Sequence, residues 1–453
     1  MTEQVDVVVI GLGPGGEYAA GALAEAGLEV AGVESGLVGG ECPYWGCVPS
    51  KMMIRAGNLL AEARRVPGRA GEARVTPGWQ EVAGRIRREA TDDWNDQVAA
   101  DRLTAKGGRL VRARGRLTGP RRVTAGDLDF EARRGVVLAT GGRPRIPPVN
   151  GLADTPYWTN REAMEAAELP RSLLVLGGGA IGTEIAQVLA RFGVRVTLVE
   201  GGERLLSQEE PEAGDLAAAA LRGDGVTVLT GVRAREVRHD GAGFTLVPDG
   251  DAEPLRAERL LVATGREPAL GDLGVASVGL DPEARAVDTD GQLRAADGLW
   301  AVGDITGRGA FTHVSMYQAQ IAVRDILGTP GPDADYRALP RVTFTDPEIA
   351  AVGLTERRAR ERGLRVRTSV LDLATSTRGW IHGPGGEGFL KLVEDADRGI
   401  LVGATSAGPA GGELLYGLNV AVHAEVPVER LRHMIYTYPT FHRAVEPALA
   451  ALR

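Results

Sequence analysis

Two ten-residue segments of this chain repeat one design: Val7 to Gly16 reads VVVIGLGPGG, and Leu173 to Gly182 reads LLVLGGGAIG. Each is a short apolar run that reads as a buried strand, then a glycine turn, then the start of a helix. The echo continues downstream, with ATGGRP at Ala139 to Pro144 matched by ATGREP at Ala263 to Pro268. In such a turn the first glycine (Gly11, Gly177) permits the tight bend and the second (Gly13, Gly179) lets a pyrophosphate approach the backbone. The third (Gly16, Gly182) lets the helix pack on its strand. The phosphates would then lie at a helix N-terminus, where unpaired N–H groups and the helix dipole favour anions. An acid to hold a ribose is expected roughly 20 residues further on, and Glu34 and Glu200 end the runs LEVAGVE and VRVTLVE. The chain therefore predicts two α/β modules, each with a dinucleotide site.

At 453 residues there is room for several domains, and 43% apolar with 25% charged residues is ordinary globular composition. No run of 18 apolar residues exists to predict a membrane span. The net charge of -8 with arginines interleaved among acids offers no basic face for nucleic acid. The apolar run Val5 to Ile10 lacks a basic flank and reads as a strand rather than a signal peptide, so a cytoplasmic location is expected. Lysine occurs only at positions 51, 106 and 391. Beyond a Gly-Pro-rich stretch at Gly328 to Pro332 the texture changes. Strands are predicted at Arg341 to Phe344, Gly388 to Val393 and Ile400 to Thr405, and helices at Gly412 to Ala424 and Thr440 to Leu452.

The chain's two cysteines stand five positions apart in Gly39 to Lys51, GGECPYWGCVPSK, just past Glu34. In a reducing compartment such a pair is an unlikely staple. Four intervening residues allow a loop or helical turn to bring the two within disulfide distance.

Taken together, the first glycine turn, C-x4-C-x-PSK, the second turn, AVGD at Ala301 to Asp304 and FTDPEIAAVG at Phe344 to Gly353 resemble the class I flavoprotein disulfide reductases. That family includes dihydrolipoamide dehydrogenase, glutathione reductase and mercuric reductase. The resemblance covers nearly the whole chain. It implies an α/β fold with two Rossmann-like domains, for FAD and NAD(P), plus a C-terminal α+β dimerisation domain. The divisions expected are 1–150 and 271–335 for FAD, 151–270 for NAD(P) and 336–453 for dimerisation, in a homodimer.

It further implies that FAD lies on Gly11, Gly13, Gly16 and Glu34, with Gly115, Gly141, Asp304 and Thr312 also contributing. The nicotinamide dinucleotide would lie on Gly177, Gly179, Gly182 and Glu200, with Val232 and Gly265 counted alongside. Ala180 stands where some relatives carry an aromatic gate. Glu200 favours NADH, since a carboxylate accepts from a ribose hydroxyl and repels a 2′-phosphate, although Arg204 lies close enough to offer such a phosphate a partner. No resident metal is expected.

The same resemblance makes Cys47 the flavin-facing thiol, Cys42 the thiol that meets a small-molecule acceptor, and Lys51 the partner of Glu184. It fails at the C-terminus. The family's His-Pro-Thr motif, supplied by the partner subunit, corresponds to Tyr438-Pro439-Thr440, and its supporting Glu to Arg443. A tyrosine with pKa near 10 is a poor base at neutral pH, though it can donate a proton. His442 and Glu446 are spaced i to i+4 and are either a relocated acid–base pair or a solvated helix pair. Tyr44 and Trp45 replace smaller family residues. With Tyr436 and Tyr438 they either line an acceptor pocket or fill an interface core. The leading expectation is passage of electrons through the cysteine pair to a small disulfide/dithiol substrate. The alternative is a quinone, dioxygen or metal-ion acceptor, and a redox sensor is a third, non-enzymatic reading.

Overall fold

The computed structural model describes residues 2–268 and 270–453. The chain gathers into two compact units. The first comprises Met1–Ser50, Gly84–Arg145 and Gly265–Asp335, and the second Lys51–Ala83, Ile146–Thr264 and Tyr336–Arg453.

In the first unit the run TEQVDVVVI forms the strand Thr2–Ile10, with Val7, Val8 and Val9 fully buried in succession. A strand buried on both faces suits a parallel sheet. Accordingly Thr2–Ile10 pairs in parallel with Val30–Glu34 on one side and Leu128–Leu138 on the other. Parallel pairing extends outward to Arg109–Arg112 and to Leu299–Ala301. An antiparallel pair, Gly115–Gly119 with Arg122–Ala125, rejoins Leu128–Leu138. Helices Pro14–Glu25 and Thr312–Ile326 share one core with Val7 and Val9. They approach so closely that a Cβ on Gly15 would fall 2.1 Å from the Ser315 hydroxyl.

The second unit repeats the plan with fewer strands. Thr227–Thr230, Arg195–Glu200, Ser172–Leu176 and Arg259–Val262 lie side by side, all parallel. Helix Ala180–Arg191 follows the second glycine turn. Arg191 at its end is 2% exposed, and its guanidinium meets Asp224, Asp346 and Asn58. A buried cation needs such partners. The C-terminal part forms a five-stranded antiparallel sheet. Pro340–Thr343, Phe389–Asp395 and Ile400–Gly408 fall close to the predicted strands, and Glu348–Gly353 and Val366–Asp372 complete the sheet. Helix Gly411–His423 shares a core with it.

One expectation is corrected. The helix predicted from Thr440 to Leu452 is a 3-10 turn, Phe441–Ala444, followed by a short α-helix, Val445–Ala450. Thr440 caps the turn by accepting from Arg443 N at 3.3 Å. Pro447 has no N–H to give to the carbonyl of residue 443, so it sits in the first turn of a new helix. Among the described residues no helix is long and apolar enough to cross a membrane.

Candidate dinucleotide and dithiol sites

The two glycine turns have one internal geometry. Gly11 has φ +89° and Gly177 φ +112°, and a Cβ there would lie 2.6 Å from Ala139 O and 2.4 Å from Ala263 O. Those carbonyls open the two ATG segments. At Gly16 and Gly182 a Cβ would lie 1.9 Å and 2.0 Å from the carbonyl oxygens of Gly11 and Gly177. These four glycines are demanded by the chain itself. Gly13 and Gly179 are different, because a Cβ at either meets nothing within 4 Å. Each caps its helix, Pro14–Glu25 or Ala180–Arg191, and neither helix has a side-chain cap. Backbone N–H groups facing open room at a helix N-terminus suit a pyrophosphate, so the residues fit a dinucleotide at both turns.

The two acids are held alike. Glu34 accepts from Leu12 N at 2.6 Å and Gly36 N at 2.7 Å, and Glu200 from Gly178 N and Gly202 N, both at 2.6 Å. Each carboxylate is thereby fixed beside its turn with lone pairs left to accept more. Val232 N donates to Glu200 O at 3.0 Å, which places it beside that acid. Arg204 is turned onto the carbonyls of Ser207 and Glu209, at 3.2 Å and 3.1 Å.

Elsewhere in the first unit, Gly115 lets its strand pass over Ile10, whose Cγ2 would lie 2.8 Å from a Cβ there, and Gly141 turns at φ +66° beside open space. Asp304 opens the turn Asp304–Thr306. Burial raises its carboxyl above the usual range, opposed by Arg266, whose Nε lies 3.4 Å away. Arg266 also reaches Glu41 at 3.8 Å and donates to Gly142 O. It was not singled out in the sequence, although the signal was there, since the second ATG copy carries Arg266 where the first carries Gly142. Gly265, expected with the second dinucleotide, groups with the first unit, and its carbonyl accepts from Arg145 N at 2.9 Å.

The dithiol is built from two local devices. Cys42 lies on the helical turn Glu41–Tyr44, and Cys47 opens the helix Cys47–Arg65. Gly46 closes the gap, since a Cβ there would lie 3.0 Å from Glu41 O and 3.3 Å from Cys42 Cα. Both sulfurs are thiols here, Cys42 half-buried and Cys47 exposed. A hydrogen bond with the Cys47 sulfur, and then burial, push the Cys42 thiol far above its ordinary value. Thr312, the first residue of its helix, has its hydroxyl 3.3 Å from Cys47 Sγ.

In the second unit Lys51 Nζ lies 3.0 Å from Glu184 Oε2. The other oxygen of Glu184 accepts from Phe344 N at 2.8 Å, and the Phe344 ring lies beneath the ammonium, 4.5 Å to its centroid. Phe344 was recognised only as the start of FTDP.

The tail departs from the pairing considered in the sequence. Glu446 meets Arg443 Nη1 at 2.9 Å, and no contact joins it to His442 among the described residues. His442 lies in the 3-10 turn Phe441–Ala444 and Glu446 in the helix Val445–Ala450, so the single continuous helix that i to i+4 pairing presupposes is absent. Tyr438 is 65% exposed, with Arg443 5.9 Å from its ring centroid. Two of the remaining aromatics are engaged within their own surroundings. Tyr44 is buried with its hydroxyl on Val38 O, and Tyr436 is half-buried with its hydroxyl on Leu431 O.

Residues 5–324 match the family described as pyridine nucleotide-disulphide oxidoreductase, and residues 339–449 match that family's dimerisation domain. Mercuric reductase of Streptomyces lividans is 35% identical over 98% of this chain and 95% of its own length. Dihydrolipoyl dehydrogenase of Halobacterium salinarum is 33% identical, with the same coverage of each chain. Among solved structures, the Cu(II) complex of the HOCl-induced flavoprotein disulfide reductase RclA from Escherichia coli superposes with a TM-score of 0.86 at 26% identity, covering 99% of both chains. With two fitted dinucleotide turns and a dithiol, this chain belongs to the pyridine nucleotide-disulphide oxidoreductase family, whose members are FAD-dependent NAD(P)H oxidoreductases.

Proposed function

We propose that this enzyme draws electrons from NADH in preference to NADPH and passes them through Cys42 and Cys47 to the disulfide form of a small disulfide/dithiol substrate, as a homodimer. The observation that carries the reading is the pair of thiols on adjoining turns drawn together at Gly46, one of them at a helix N-terminus. The division of labour we propose is FAD on 1–150 and 271–335, the nicotinamide dinucleotide on 151–270, and dimerisation through 336–453, in the cytoplasm.

Bound FAD supplies the two-electron chemistry that links nicotinamide to sulfur. Gly11, Gly13, Gly16 and Glu34 position it, with Gly115, Gly141, Asp304 and Thr312 around it. Gly177, Gly179, Gly182, Glu200, Val232 and Gly265 serve the nicotinamide dinucleotide. Cys47 gains stability as a thiolate from its helix N-terminus. Lys51, one turn along the same helix, adds a positive charge whose place Glu184 keeps. Cys42 gives up the proton of the couple when it attacks an acceptor, and the departing product thiolate takes up a proton from a donor that the Cys42 proton then replenishes. Tyr438 supplies one from its hydroxyl, with Arg443 beside the ring. His442 and Glu446 remain the other candidates, now as separate groups rather than a pair.

A second reading replaces the disulfide with a quinone, dioxygen or a metal ion. Tyr438 in place of a base favours it, and so do the mercuric reductases among the relatives and the Cu(II) bound by RclA. Anaerobic titration with NADH tests both, because a working dithiol takes up more than one equivalent per flavin. Cys42→Ser then separates them. Turnover with disulfides should fall by about three orders of magnitude, and full turnover with the preferred acceptor would refute the disulfide route.

A further inference from the structure

We infer that Tyr44 is a positioning residue that sets how firmly the Cys42 turn is held against Cys47, acting through the Val38 peptide and the Asp96–Arg112 ion pair. The inference rests on the dithiol reading above and goes past it. The approach to Cys42 contains Gly39 at φ +104° and Gly40 at φ +65°, conformations that leave a free loop with many alternatives. Several contacts remove them. Gly39 N donates to Leu12 O at 2.7 Å, tying the loop to the first glycine turn. Val38 is held at both ends, its N–H donating to Asp96 Oδ2 at 2.6 Å and its carbonyl accepting from Tyr44 OH at 3.0 Å. The Tyr44 ring also covers Gly39, where a Cβ would lie 3.3 Å from Tyr44 Cε2.

Asp96 is in turn held by both Nη atoms of Arg112, at 2.5 Å and 2.8 Å. That hydrogen bonding keeps its carboxyl below the usual range, so the anchor is charged at neutral pH. Tyr44 lies between the two cysteines in sequence, at the end of the turn that carries Cys42. The chain from Val38 to Tyr44 is therefore closed on itself and bolted to the sheet.

Holding one sulfur near another raises the effective concentration of each for the other. Closing the Cys42–Cys47 bond oxidises two thiols and releases two protons and two electrons. Reopening it takes two electrons, originating in the reduced nicotinamide, and two protons. A looser turn shifts this equilibrium toward the dithiol, which raises its reduction potential, and also exposes Cys42.

The test uses flavin-loaded enzyme with Tyr44→Phe, which keeps the ring and removes the hydroxyl, and with Asp96→Asn, which weakens the other end of the same residue's anchorage. The dithiol–disulfide ratio is measured in dithiothreitol redox buffers, and Cys42 alkylation is timed with iodoacetamide. Tyr44→Phe should move the equilibrium about five- to tenfold toward the dithiol, or roughly 20–30 mV at about 30 mV per decade. It should also speed alkylation several-fold, and Asp96→Asn should act in the same direction. Parental equilibrium and alkylation in Tyr44→Phe overturn the inference, even if thermal stability falls, since Tyr44 would then only pack. If Tyr44→Phe fails to hold flavin, parental values in Asp96→Asn overturn it equally. Failure of the dithiol relay itself is a separate result, seen in the parent as an NADH titration that ends at one equivalent per flavin.

Discussion

The two glycine turns share their steric demands and the way each holds its acid, yet they differ in what surrounds the turn and in the segment beyond the acid. At the second position of the turn the first copy has Leu12, packed against Gly32, whose Cβ would lie 3.1 Å from a Leu12 methyl. The second copy has Gly178, facing Leu205, whose methyl would lie 2.5 Å from a Cβ. In each copy a leucine fills the space beside a glycine, as close packing requires. After Glu34 the first copy runs into the clamped loop and the Cys42 turn. After Glu200 the second runs into Gly201, Gly202 and an Arg204 engaged by carbonyls. The fingerprint therefore sets where a pyrophosphate can sit, and the residues past the acid decide what chemistry is placed beside it.

That contrast can be broken most forcefully at the third glycines. Gly16→Ala puts a methyl 1.9 Å from a carbonyl oxygen and should cost about 3 kcal/mol or more, yielding colourless or insoluble protein. Gly182→Ala, at 2.0 Å, should disable the second turn instead, leaving flavin bound and its reduction by NADH lost. A yellow Gly16→Ala enzyme would end the parallel. The middle glycines sharpen it: Gly13→Ala and Gly179→Ala should each change apo-protein stability by about 1 kcal/mol or less. Affinity should fall about 10- to 100-fold, for FAD in the first case and for NADH in the second, read by flavin fluorescence and by KM. Loss of stability matching loss of binding would refute the open-space argument.

A smaller effect is expected at the second acid. Glu200→Gln should raise the KM for NADH about tenfold while changing that for NADPH less, so the ratio of their kcat/KM values shrinks. The smallest concerns Asp96, whose carboxyl pKa is lowered in the folded chain. Its contribution, about 1–2 kcal/mol for a charge-assisted hydrogen bond, is present above its unfolded value near 3.8 and is lost as pH falls through the lower folded value. The difference in melting temperature between parent and Asp96→Asn should therefore be largest near pH 7 and shrink below about pH 4. A difference that persists at lower pH would mean the carboxylate charge is not the cause.

How much of the fold and the site was legible depends on the kind of constraint involved. Gly11, Gly16, Gly177 and Gly182 are forced by local backbone sterics, so their spacing alone announces the two modules. Lys51 and Glu184 could be paired as well, because the family resemblance implies that pairing. Asp96 and Arg112 could not be found that way, since the bond of Asp96 to Val38 and its pairing with Arg112 are made in three dimensions and leave no spacing behind. The i to i+4 spacing of His442 and Glu446, left open between an acid–base pair and a solvated pair, carries no trace of the 3-10 turn Phe441–Ala444 that holds His442. Tyr44 was left open between an acceptor pocket and an interface core, and its hydroxyl is instead seated on Val38 O within the first unit.

Ile435 stands 98% exposed, with Met434 and Tyr438 also in water. Burying such an isoleucine is worth about 1.5–3 kcal/mol, and the residues after 339 match a dimerisation domain. The enzyme's own concentration thus becomes a reagent. On the proposed role of Tyr438 at a neighbour's sulfur, dilution far enough to separate one copy from another should lower specific activity in the cuvette while every chain remains folded.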